Sequence, residues 1–159
     1  EDVELDLALV HAYPGQAQRS DRLELGEDRV EVVVRQGHPL LAQEGLGLHS
    51  LAPFSWVMAP QHSAARRHLL AVFEREGVPL PRVTVEVDYT SEAVMGIVAA
   101  TDLLAMTPSA MVRGWLGRVF PLRIPALELR RSLVLLSRPQ ARWTPLMAEF
   151  REQLGARFT

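Results

Sequence analysis

The chain has no cysteine and no lysine. Without cysteine there are no disulfides, no thiolate metal ligands and no thiol nucleophile, which fits a reducing compartment. All 17 basic residues are arginine, scattered among 19 acidic residues with no basic stripe. A self-sufficient nucleic-acid-binding domain carries such a stripe, so this chain is not expected to touch DNA or RNA itself. Arginine to the exclusion of lysine reads as codon bias in a GC-rich genome. No apolar run reaches the roughly 18 residues that span a bilayer. The acidic start, EDVELDLALV, lacks the basic n-region of a signal peptide. A cytoplasmic protein without membrane contact is the expectation.

Catalytic signatures are missing too. There is no G-x-S-x-G elbow, no Walker loop and no G-x-G-x-x-G. His62 and His68 miss the i, i+4 spacing that puts two imidazoles on one helical face, and His38 and His49 have no carboxylate cluster near them. Neither an enzyme, nor a cofactor, nor a metal is expected. What remains, with 48% hydrophobic and 23% charged residues in 159, is an ordinary globular composition with enough chain for one good core or two small lobes.

The most informative stretch is Val83 to Pro108. Val83, Val85 and Val87 alternate with Thr84, Glu86 and Asp88, the period of a half-buried strand. Thr90 and Ser91 offer N-cap hydroxyls to Ala93–Ala100, a segment apolar nearly all round. Leu103 to Met106 is a short apolar run stopped by Thr107-Pro108. Strand, helix and strand at this spacing predict a parallel βαβ crossover. In open parallel sheets ligands sit beyond the carboxyl ends of the strands, where helix N-termini present N–H groups. Tyr89, Thr90 and Ser91 are therefore the leading ligand contacts, suited to a carboxylate or another anion. Thr107 and Pro108 are candidates at a second strand end.

Elsewhere the pattern predicts strands over Val3–Val10, Val30–Arg35 (with Glu24–Arg29 leading in), Phe54–Ala59, Val119–Leu122 and Leu129–Ser137. Pro60 and Gln61 close the third of these and join the candidates. Ser63 is expected to cap a helix running through Glu76, with Ala65, Leu69, Val72 and Phe73 inward, Arg66, Arg67, Glu74 and Arg75 on the wet side, and Gly77 as the stop. Thr144-Pro145 predicts a last helix whose apolar side holds Trp143, Leu146, Met147, Phe150 and Leu154. Alternating strands and helices predict the α/β class.

Several segments, in order, resemble the effector-binding domain of LysR-type transcriptional regulators. VELDLAL is similar to that family's "G-x-L-D-L-A-I" strand, and VEVVVRQGHPLL to its hinge strand and "H-P-L" signature. LAPFSWV, FEREGVP and VEVDYTSEAVMGIVAATDLLAMTP resemble the entry to the second lobe, the "F…G.xP" turn, and the ligand-facing turn with its following helix and strand. Thr101-Asp102 departs from the pattern by standing where many members have glycine.

The resemblance implies a two-lobe, type 2 periplasmic-binding-protein-like fold with an effector between the lobes. Lobe one would be residues 1–35 and 131–159, and lobe two residues 36–130. His11 and Ala12, after the first strand, would face the same cleft, and Asp6 would be a structural anchor. It also implies that the family's opening strand–helix–strand and its winged helix-turn-helix lie outside this chain. Lobe one would then be incomplete, its open apolar edge prone to self-association. The expected function is ligand sensing in a regulator acting as a homodimer or tetramer, with DNA contacted only through the absent region. A solute receptor for transport on the same fold is the alternative, and an enzyme such as a dehydratase or deaminase a third reading.

Overall fold

A computed structural model describes residues 6–13, 21–138 and 143–158. The chain forms two compact units, one of Glu1–Asp28 with Arg130–Thr159 and the other Arg29–Leu129.

The contiguous unit is built on a five-stranded mixed arrangement. Strand β2 (Asp21–Arg35) enters it and pairs antiparallel with β5 (Leu104–Pro108) and with β6 (Val119–Leu122). Strand β3 (Ser55–Met58) is parallel to β5 on one side and to β4 (Arg82–Glu86) on the other. The expected crossover is present: β4, α3 (Glu92–Ala100) and β5 follow one another, and β3 lies between the two strands they connect.

Side chains alternate across this sheet and make a core on each face, as a parallel sheet buried on both sides requires. Val32, Val34, Trp56, Met58 and Leu104 face α2 (Ala64–Arg75) and the short helix α1 (Leu48–Leu51). Val33, Val57 and Ala105 face α3 and the turn α4 (Ser109–Val112), meeting Val94, Met95, Val98 and Val112. Helix α2 starts where Ser63 Oγ accepts the Arg66 N–H at 3.1 Å, and it stops at Gly77, whose φ of +65° suits glycine.

The other unit joins both chain ends. Strand β1 (Leu7–Ala12) pairs antiparallel with β7 (Leu129–Ser137), which lies between β1 and the beginning of β2. Helix α5 (Pro145–Phe158) begins with Thr144 Oγ1 accepting the Met147 N–H and lies against β2, with Gly155 facing Leu23 and Phe158 facing Gly26. Asp6, expected as an anchor, faces Arg138 at 3.7 Å.

Four details correct the sequence reading. Residues Glu24–Arg29 do not merely lead into a strand, since β2 runs unbroken for 15 residues. Its charged middle is tied laterally, Asp28 to Arg131 and Arg29 to Glu128. Val32, Val33 and Val34, read as part of lobe one, pack in the contiguous unit. The first strand starts at Leu7 within the described residues and keeps Ala12, where a turn was expected. Finally, α5 buries none of its described side chains, and Leu146 and Phe150 stay exposed. The rest of the expected Ala12–Gly15 turn lies outside the described residues.

The loops opposite the α3 N-terminus are pinned by His38, a buried residue. Its Nδ1 accepts the Leu40 N–H at 3.2 Å, so the proton sits on Nε2 and is donated to the Asp102 carbonyl at 3.4 Å. Arg35 grips the Asp102 carboxylate at 2.7 and 2.8 Å. Thr101 dispenses with the glycine often found there: its backbone is extended, and its hydroxyl donates to Ile97 O and accepts from Leu103 N.

Burial lowers the His38 pKa below the usual 6.5, only partly offset by the Asp102 carbonyl. A histidine whose pKa falls on folding binds protons more readily when unfolded, so its stability contribution is full above pH 6.5 and is lost on acidification through the folded value. His68 and His11 shift in the same direction. The urea midpoint should therefore fall between about pH 7 and pH 5. His38→Asn, which keeps an acceptor for Leu40 N–H, should flatten that slope; an unchanged slope would assign it to the other histidines.

Candidate functional site

Parallel strands deliver their carboxyl ends to one side of a sheet. In the contiguous unit the ends of β3, β4 and β5 come together there. Met58 pairs with Glu86, and Val87 N–H continues the ladder to Met58 O at 3.0 Å. Pro60 and Gln61 follow β3, Tyr89 to Ser91 follow β4, and Thr107-Pro108 closes β5. Seven of the nine candidates thus share one end of one sheet.

Their availability differs. Tyr89 is 73% exposed, Gln61 is exposed, and Thr90, Ser91, Pro60 and Pro108 are half-buried. Ser91 is the N-cap of α3 in extended conformation, and its hydroxyl makes no capping bond, which leaves the first-turn N–H groups to another acceptor. Thr107 is fully buried, its hydroxyl 3.8 Å from Met95 Sδ. Its side chain packs under α3 and does not reach the surface at the strand end.

His11 and Ala12 lie in the other unit, at the end of β1, opposite Leu133 and Ser132 of β7. Ala12 is buried. Desolvation first and the Arg131 guanidinium second lower the His11 pKa, against the pull of Asp28.

Arg66 was missed, because helical spacing sets it on the polar stripe of α2. Its side chain is in fact only 9% exposed, and it donates to Ala59 O at 2.9 Å and to Glu86 at 2.6 Å. It ties the ends of β3 and β4 just before Pro60 and Val87. The tertiary partners come from two other elements, so no local pattern signals them. Glu92, at the start of α3, accepts the Trp115 indole N–H at 2.7 Å. Of the carboxylates near Tyr89–Ser91, Glu86 and Glu92 are therefore engaged by the protein, which moderates their repulsion of an anion at the α3 N-terminus, while Asp88, next to Tyr89, is exposed to solvent that screens it.

A sequence model described as the LysR substrate binding domain matches residues 1–159. The chain belongs to the LysR substrate-binding domain family.

This LysR domain is 33% identical over 87 residues to the HTH-type transcriptional regulator GbpR of Rhizobium radiobacter, a match covering 55% of this chain and 28% of that regulator. Among solved structures it resembles the Synechocystis PCC6803 CcmR regulatory domain in complex with 2-PG (TM-score 0.80, 18% identity, 97% of this chain and 74% of that one). It also resembles the QuiR effector-binding domain in complex with shikimate (TM-score 0.71, 19% identity, 96% and 71%). The cofactor-binding domain of the Cbl transcriptional regulator is similar as well (TM-score 0.76, 15% identity, 97% and 67%). The fold is that of LysR regulatory domains, type 2 periplasmic-binding-protein-like. Among the described residues of the LysR domain, no helix is long and apolar enough to cross a membrane.

Proposed function

We propose that this LysR domain senses a small anionic effector and passes that signal to a helix-turn-helix outside the chain. The observation that carries the reading is the uncapped α3 N-terminus with Thr90 and Ser91, set beside the ends of β3 and β5 in a chain matched throughout by the family. Hydroxyls and first-turn N–H groups suit a carboxylate or phosphate oxygen. An effector acts by differential affinity for alternative arrangements of the domain, and the bias is read through a homodimer or tetramer in a cytoplasmic regulator. The relatives named above are regulators or regulatory domains, which favours sensing over transport or catalysis.

The test is calorimetric titration of the full-length regulator, with shikimate and 2-PG as first probes. Thr90→Ala with Ser91→Ala should weaken binding by about tenfold or more, since hydrogen bonds to a charged group are worth roughly 1.5–3 kcal/mol each. Unchanged affinity would move the site elsewhere. Turnover of either probe would overturn the non-enzymatic reading.

A further inference from the structure

The contiguous unit contains a concavity that shares no residue with the strand-end candidates. The ladder between β6 and β2 ends with Leu122 opposite Val32. The chain then swings away through Arg123 and a 3-10 turn (Pro125–Leu127), which opens a cavity of about 340 Å³ beside β2. That volume falls within the roughly 300–1,000 Å³ typical of small-molecule sites.

Its apolar lining comes from Val32, Leu122, Ile124 and Leu127, all buried. Charge is confined to four further lining residues. Arg29 and Glu128 face each other at 3.6 Å. Glu31 and Arg123 remain, and among the described residues neither side chain has an ion-pair or hydrogen-bond partner. A simple anion on Arg123 would leave the Glu31 carboxylate opposing it, and a simple cation on Glu31 would face Arg123. A small zwitterion satisfies both, with an apolar group against the leucine and isoleucine side chains.

We propose that this cavity binds a free α-amino acid with an apolar side chain, its carboxylate on Arg123 and its ammonium on Glu31. The cavity shares no residue with the strand-end candidates and its occupancy does not require theirs, although Glu31 lies opposite Thr107 in the β2–β5 ladder. Its walls include the residues next to both boundaries of the contiguous unit, Arg29 after Asp28 and Glu128 just before Leu129. An occupant would thus touch the chain where it enters the unit and where it leaves.

The test is calorimetric titration of the whole chain with L-leucine, then with leucinamide, which lacks the carboxylate, and 4-methylpentanoate, which lacks the amine. Saturable binding of leucine is expected, with each analogue at least about tenfold weaker, because each leaves one charged wall unpaired. Arg123→Met and Glu31→Gln should each weaken leucine by a similar factor, while Thr90→Ala with Ser91→Ala leaves it unchanged. The analogue comparison uses the unaltered protein, so it stands even if a variant folds poorly. No saturable leucine binding, equal binding of either analogue, or loss of binding in the Thr90/Ser91 variant would overturn the proposal.

Discussion

Replacing Arg131 by methionine is expected to lower the unfolding free energy by about 3 kcal/mol, the lower end of the range for breaking a buried pair. Arg131 meets Asp28 Oδ2 through two nitrogens, at 2.7 and 3.1 Å, and the two side chains are only 12% and 16% exposed. Methionine keeps most of the apolar stem, so the loss reports the charge and its hydrogen bonds and not the packing. The same change should raise the His11 pKa. Burial and Arg131 now hold it down while Asp28 pulls it up, and without Arg131 the carboxylate's attraction is less opposed. Urea denaturation reads the first effect and an NMR titration of the His11 imidazole the second. A stable variant with an unmoved His11 would mean that solvent already screens the cluster. Adding Asp28→Asn should recover part of the stability, because the desolvated charge is then gone as well.

Phe73→Ala should cost about 3–5 kcal/mol, through lost transfer energy and the cavity left behind. Phe73 is fully buried on α2 and meets Trp56 edge-on, with ring centroids 6.5 Å apart at 87°. Among the described residues the Trp56 indole N–H has no hydrogen-bond partner, so packing alone positions that ring, and Phe73 is a large part of it. Phe150→Ala on α5 is the control. That side chain is 48% exposed, and its removal should change the urea midpoint little. Equal effects at the two positions would contradict the burial described here.

The contrast between these two phenylalanines also marks how far the sequence could be read. Local signals were reliable where one element decides them. Ser63 capped α2, Thr144 capped α5, and the apolar run of β7 has its expected bounds, Leu129–Ser137. The gathering of Pro60, Gln61 and Tyr89–Ser91 was legible because strand–helix–strand order dictates parallel strands, and parallel strands share a carboxyl end. What failed depends on partners distant in sequence. Glu24–Arg29 reads only as a lead-in to a strand until Arg131 pairs with Asp28 and Glu128 with Arg29. Arg66 reads as solvated until Ala59 O and Glu86 close on it. Thr107 reads as a surface hydroxyl, but it falls on the face of β5 that turns toward Met95, and α3 covers it.

The two units also differ in how their sequence is distributed, with a consequence for biosynthesis. Residues 29–129 are continuous, whereas the other unit needs both ends of the chain, its β1–β7 ladder joining Leu7 to Ser137. During vectorial translation the usual order, N-terminal unit first, is therefore inverted. The middle of the chain can condense on the ribosome while β1 waits, unpaired, for a strand not yet made. Chaperone demand during synthesis should accordingly concentrate on β1, which leaves the ribosome more than 100 residues before its partner strand β7.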